Sequence, residues 1–456
     1  MKFFGNKAIF GLALSLEIVF VLSTAGCSRQ AEIPAQMKSS GVTTAPQSQA
    51  KNEIAANPAA PGLTDDSNPG SDSASQLLKA GKYTALETRV SSLQQAYKSG
   101  SIDDLALLLA FREFYDTDPK LALRFAGWKK AYPHSYAAHL AEAIYYIHSG
   151  REARGAEYAT DTSDQQFAAM EVYNSKAFAD LQESLTLDAR PLLSYVQLID
   201  LGRHDSDNDA DFSTSAISYV DKLTATVLHK PVPSNDSPTT SRDFLDKANN
   251  IDPGNFIARR KYMTTLETRW GHSTSEMDAF LKESKAAGLS SAKFRVLEAL
   301  VLRDRAWNEE RQGNIQASGK DYAAAVATLG DDGNLMEQNM FAQLLSETGY
   351  IHEKLRQYDV AKGYYQKSVE SDPGSEIAWS NLGICQAHTG DMEGAAVSYK
   401  KAAEMGEPIA QNEWGKFLWY GTNVKADHAA AISYFEKAAA KGIVDAKNNL
   451  RFAKQN

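Results

Sequence analysis

The sequence predicts an all-α chain whose last third is a stack of helical hairpins, a solenoid, preceded by a second helical, repeat-like domain. Two observations carry this. From Gln76 onward apolar residues recur at helical spacing, and no convincing alternating strand pattern appears. Near the C-terminus, Gly349, Ala361 and Tyr365 are followed, one ~34-residue period later, by Gly383, Ala395 and Tyr399, the signature of a repeated helix pair.

The chain opens with Lys2 and Lys7, an apolar run over 8–22, and the small residues Ser-Thr-Ala-Gly before Cys27. That is the layout of a secretory signal. Glu17 inside the run argues against an uncleaved membrane anchor, since a carboxylate near mid-bilayer is costly. Ala25-Gly26-Cys27 resembles the bacterial lipoprotein signal, although Thr24 stands where Leu is usual. The resemblance implies cleavage after residue 26, a diacylglyceryl group on the Cys27 thiol, and a membrane partner through that anchor. Ser28, where an Asp would imply inner-membrane retention, implies the outer membrane with the body in the periplasm. Residues 28–75 contain no aromatic residue and five of the 14 prolines. They are expected to form a disordered tether of about 40 Å mean span.

The body is expected to fall into a helical domain over 76–312 and a repeat domain over 313–456. Leu86, Val90, Leu93 and Tyr97 place one apolar stripe on a helix that stops at Gly100. Asp118–Pro119 is expected to start a helix bearing Leu121, Phe125 and Trp128, and Arg190–Pro191 another. Over 273–284, Ser and Thr precede Glu276 as a capping box would require. Residues 128–170, 189–199 and 259–289 resemble a bacterial family known only as domain of unknown function 4034, which implies a helical fold and no established activity.

Trp379, Leu382, Gly383, Ala395 and Tyr399, with Gly349, Ala361, Tyr365 and Pro373 one period earlier, resemble tetratricopeptide repeats. The small residues sit where paired helices touch, and the tyrosine fills the gap to the next pair. Residues 410–442 resemble a Sel-one-like repeat through Trp414–Gly415, Gly421, Asp427, Ala431, Tyr434 and Gly442. Asn423 stands where that pattern has a second glycine. Residues 443–453 complete the stack as a capping helix.

The net charge of −9 and the lack of a basic cluster exclude a general nucleic-acid binder. Cys27 and Cys385 make neither a disulfide framework nor a metal cluster, and Cys385 reads as a small buried hydrophobe. No P-loop, G-x-S-x-G or H-E-x-x-H occurs; His352–Glu353 begins the last motif, but Arg356 replaces its second histidine. The run Asp205, Asp207, Asp209, Asp211 lacks the glycine and glutamate of a calcium loop, with Ala210 and Ala216 in their places. It reads as a solvated loop. No cofactor, metal or catalytic step is expected.

Two sets of binding residues remain. The tetratricopeptide resemblance implies a peptide groove lined by Gln343, Ser346, Tyr350 and Glu353, then by Ser380, Ile384, Ala387 and His388. A ligand cleft is the second candidate, formed if Glu152 and Arg154 meet Arg269, Trp270 and His272. The expected function is an outer-membrane-anchored scaffold that binds an envelope protein or peptide segment. The alternative is an envelope enzyme or small-ligand-binding lipoprotein using that cleft.

Overall fold

The computed structural model describes residues 72–155, 162–202, 240–330 and 335–455. The signal segment, Cys27, nearly all of the tether and the 205–211 acidic run lie outside these residues. Among the described residues there is no strand. The helices run α1 (Ala74–Ala80), α2 (Tyr83–Lys98), α3 (Asp104–Phe111), α4 (Leu121–Ala131), α5 (Tyr136–Arg154), α6 (Asp164–Leu187) and α7 (Leu192–Leu201). They continue as α8 (Ser241–Ile251), α9 (Ile257–Thr265), α10 (Thr274–Ala286), α11 (Ser291–Arg311) and α12 (Ile315–Leu329). The last seven are α13 (Leu335–Lys354), α14 (Tyr358–Ser371), α15 (Glu376–His388), α16 (Met392–Met405), α17 (Pro408–Tyr420), α18 (His428–Ala440) and α19 (Val444–Ala453).

Local chemistry sets many of these ends. α2 buries Leu86, Val90 and Tyr97 and stops just before Gly100, whose φ of 74° is left-handed. Ser273 accepts from the Glu276 amide and Glu276 reaches back, so the capping box predicted there opens α10. At Asp118–Pro119 the outcome differs slightly. The Asp118 carboxylate accepts from the Lys120 amide at 3.0 Å, so those residues form a turn and α4 begins at Leu121. Phe125 and Trp128 are fully buried on its inner face.

Hairpins pair α5 with α6, α11 with α12, α13 with α14, α15 with α16, and α17 with α18, and α19 closes on α18. One apolar core runs from Ala74 to Ile351, and two smaller clusters follow, around Tyr365 and Cys385 and around Tyr399 and Phe435. Residue 313, where the repeat domain is expected to begin, is Gly313 in the turn between α11 and α12, and the core passes through it. The hairpin α11–α12 is itself repeat-like. Tyr322 stands to Ala306 as Tyr365 stands to Gly349, and all of these are buried. A fixed ~34-residue period misses it, because α11 and α13 have 21 and 20 residues against 13 in α15.

Close approach of paired helices depends on missing side chains. A Cβ added at Gly349 would stand 3.1 Å from the Tyr365 ring; at Gly383, 2.8 Å from Tyr399; at Gly415, 2.6 Å from Phe435. Asn423 adopts φ 55°, the left-handed conformation that Asn tolerates best after Gly, so the missing Sel-one-like glycine leaves that turn unchanged.

Buried carboxylates tie the N-terminal helices together. Asp104 of α3 accepts from the Phe256 and Ile257 amides at the start of α9 and from Lys293 of α11 at 2.8 Å. A carboxylate there answers orphan amides and the positive end of the helix dipole. Between α4, α5 and α6, Lys129 bridges Glu142 and Asp180, and His139 Nδ1 lies 2.8 Å from Asp180. Burial pushes the Glu142 carboxyl up, and the Asp180 charge adds to it.

Two helical glycines give opposite expectations. Gly363 of α14 faces open space, so Gly363→Ala should raise stability by about 0.5–1 kcal/mol through helix propensity. Gly383→Ala gains the same propensity but meets Tyr399, and overpacking of about 1–3 kcal/mol should leave it destabilised. Denaturation midpoints followed by circular dichroism should move in opposite directions for the two variants.

Candidate functional site

The first helices of successive hairpins, α11, α13 and α15, present one continuous face. Trp307, Tyr350 and Ile384 occupy the same place in each, and Arg311, Lys354 and His388 follow one turn later. In α11 and α13 this i, i+4 spacing puts the cation above its aromatic neighbour. The Arg311 guanidinium stands 4.7 Å from the Trp307 ring centroid, and the Lys354 ammonium 4.8 Å from that of Tyr350. Arg269, from the turn after α9, also approaches Trp307, at 5.3 Å. Both rings are half-buried.

Ion pairs lock α11 to α13 along this face. Arg303 reaches Glu347 through Nε and Nη2 at 3.0–3.2 Å, Gln343 donates to the same carboxylate at 3.0 Å, and Lys354 meets Glu310 at 2.7 Å. Burial alone would lower the Arg303 guanidinium; Glu347 and Glu267 more than reverse that. Arg311 makes no ion pair among the described residues.

The expected groove residues divide. Tyr350 and Ile384 line the face. His388 is exposed and stacks on Tyr358, ring centroids 4.1 Å apart. Glu353 accepts from the Tyr365 hydroxyl at 3.1 Å, and burial holds its carboxyl above the ordinary range. Gln343 is committed to Glu347. Two serines do not serve as open groove positions. Ser346 lies 3.0 Å from Ser368 inside its hairpin. Ser380 is 2% exposed and donates to Glu407, the N-cap of α17, at 3.1 Å. A serine is small enough to be covered where neighbouring helices touch, and its hydroxyl then bonds within the stack.

The expected N-terminal cleft is redistributed as well. Arg154 is 1% exposed and packs over the Phe167 ring, whereas Glu152 beside it is exposed. Trp270 is buried, and His272 pairs with Glu276 at 3.0 Å at the cap of α10. Arg269 forms an ion pair with Glu267 at 2.8 Å and turns to Trp307. None of the contacts described joins Glu152 or Arg154 to Arg269, Trp270 or His272, and Arg269 joins the first-helix face. Trp307, Arg311 and Arg303 were not anticipated. Their signal was present: Trp-x-x-Glu-Arg at 307–311 is answered by Tyr-x-x-Glu-Lys at 350–354. Cys385 is buried and its thiol is pushed up to about 12 by burial first, so it behaves as a core residue.

Beneath the face lies an acidic pair. Asp304 is 1% exposed; its Oδ1 accepts from the Thr268 amide at 3.0 Å and hydroxyl at 3.1 Å, while Oδ2 has no hydrogen-bond partner among the described residues. Burial, with the Glu267 charge adding to it, pushes its carboxyl up to about 6.

Comparison with known proteins gives two family matches. Residues 73–204 match the model of a domain of unknown function (DUF4034), and residues 342–375 match a tetratricopeptide repeat. No curated protein matches the chain. Among solved structures, the chain is similar to YrrB, described as a tetratricopeptide protein with an unusual peptide-binding site, at 18% identity, covering 45% of this chain and 97% of that one, with a TM-score of 0.31. It is similar to a Sel1 repeat protein from Oxalobacter formigenes, at 15% identity over 75% and 93% of the two chains, TM-score 0.31. A protective antigen of uropathogenic Escherichia coli is similar at 14% identity over 80% and 90%, TM-score 0.29.

The Asp304 carboxyl gives a signed pH expectation. Its folded value lies above the ordinary 3.8, so the native state binds more protons between 3.8 and about 6, and stability falls as pH rises through that window. Asp304→Asn keeps the acceptor for Thr268 and removes the buried charge. It should be more stable than the parent at pH 7.5, by up to ~3 kcal/mol, with the difference vanishing below pH 3.8. Melting curves at the two pH values check this.

Proposed function

We propose that this chain is a lipid-anchored scaffold of the bacterial envelope that binds a segment of another protein along its first-helix face. The observation that carries the reading is the repeated pair of ring and cation, Trp307 with Arg311 and Tyr350 with Lys354. Each ring offers apolar area and each cation is held over its ring; Lys354 is also paired with Glu310, whereas Arg311 has no ion pair among the described residues. A partner segment combining carboxylate and apolar side chains fits this chemistry, because a guanidinium already stacked on a ring loses little further freedom on binding. The tetratricopeptide match at 342–375 supports the same reading. Cys27 would hold the chain at the outer membrane and the tether would let the body search the periplasm. No catalytic step belongs to this function.

A photoreactive residue at Tyr350 or Ile384 should yield a discrete crosslinked protein from intact cells, and one at exposed Val397 of α16 should not. Arg311→Gln should weaken that partner about tenfold, the usual worth of one charge-assisted contact. Equal labelling from Val397 and Tyr350 would remove the groove reading. Separately, Cys27→Ala should move the protein from the membrane to the soluble fraction; retention in membranes would remove the lipid anchor.

A further inference from the structure

The first-helix face carries more cations than it leaves available. Arg303 is held by Glu347 at 3.0 Å, Lys354 by Glu310 at 2.7 Å and Arg269 by Glu267 at 2.8 Å. One hairpin further on, Lys416 follows Gly415 as Ile384 follows Gly383, and it pairs with Glu413 of its own helix at 2.6 Å. Arg311 differs from all four. It is exposed, lies over the Trp307 ring at 4.7 Å, and its side chain makes no ion pair or hydrogen bond among the described residues. Between Trp307 and Lys416 the same lane is uncharged, with Tyr350 and Ile384 half-buried.

On the basis that this face is the groove proposed above, we infer that the bound segment is a polyproline-II stretch with one carboxylate on Arg311 and apolar side chains on Tyr350 and Ile384, each anchor three residues from the next. Charge sets the number of carboxylates. Each of the other cations already has one, so a second acidic residue would have to displace Glu310 or Glu413. Distance sets the spacing. Packed helices lie about 8–10 Å apart; ion pairs join α11 to α13, and α13 packs on α15. A polyproline-II chain has about three residues per turn and rises about 3.1 Å per residue, so every third side chain returns to one face after about 9 Å. The i, i+3 and i+4 anchors of an amphipathic helix lie about 5–6 Å apart, and alternate side chains of a strand about 6.7 Å. Both fall short of the next helix. Aromatic-lined grooves also suit polyproline II because that conformation is preformed and loses little entropy on docking.

Synthetic peptides, acetylated and amidated so that no terminal charge competes, are the probes. Asp-Pro-Pro-Leu-Pro-Pro-Leu and its reverse, Leu-Pro-Pro-Leu-Pro-Pro-Asp, cover the two directions across the face. Each is labelled and titrated with the full chain by fluorescence anisotropy at pH 7.5 and fixed ionic strength. One direction should bind, and replacing its Asp by Asn should weaken it about tenfold. In Arg311→Gln the Asp and Asn peptides should bind alike, whereas in Lys354→Gln the Asp peptide should keep its lead. Removing one Pro between neighbouring anchors should also weaken binding about tenfold, and a second Asp should gain nothing. Arg311 is exposed and bonds to no other helix, so its variant should melt as the parent does. Binding without a preference for Asp, or a preference that survives Arg311→Gln, overturns the carboxylate anchor and leaves the groove standing. No binding in either direction, alongside a discrete crosslink from Tyr350 in cells, overturns this class of segment alone; without that crosslink the groove reading falls with it.

Discussion

The contact between a helical glycine and the aromatic ring of its hairpin partner sets the geometry on which the C-terminal stack depends. At Gly349, Gly383 and Gly415 the facing ring occupies the space a Cβ would take. That lets Tyr365, Tyr399 and Phe435 bury fully or nearly so, each removing a large apolar area from water. The same close approach fixes the angle between first and second helices, so every first helix turns the same side outward. A lane of equivalent positions follows from this, and Trp307, Tyr350 and Ile384 stand in register on it. In α11 the small residue is Ala306, fully buried opposite Tyr322. Small size, rather than glycine as such, is therefore the constraint.

The N-terminal helices are held differently. Apolar packing is extensive there, but register comes from buried carboxylates that each serve several helices. Asp104 joins α3, α9 and α11; Asp180, with Glu142, joins α4, α5 and α6 through Lys129; Asp200 joins α5, α7 and α9. A buried charge costs several kcal/mol unless it is paired and hydrogen-bonded, so such a carboxylate is stable only when its partners come together. An alternative helix packing that separated these partners would strand a charge in the core. Asp200 holds cations gathered from separate helices.

On the first-helix face each cation rests on a ring and the neighbouring ion pairs run between helices, so the surface is firm and extended, as suits a polypeptide segment. The tether proposed ahead of the body would let this face be presented away from the membrane.

Much of the fold was legible because it rests on local chemistry. Helical periodicity, the Ser273–Glu276 cap, the stop at Gly100 and the Gly383–Tyr399 pairing are encoded within a few turns or at one repeat period. The hairpin α11–α12 was not legible at that period, because longer first helices shift the spacing while leaving the packing intact. Ser346 and Ser380 were assigned to the groove by repeat position, yet helix-to-helix contact covers them and their hydroxyls bond inward. Arg154 and Arg269 both stood beside aromatic-bearing stretches in the sequence, and nothing local says which will be buried and which will reach Trp307. The sequence by itself determined that this chain is helical, repetitive at its end and poor in catalytic motifs, since periodicity and composition are properties of neighbouring residues. Only the tertiary structure decided which cations are engaged, because Arg269, Arg303, Arg311 and Lys354 stand on elements whose mutual placement is set by core packing.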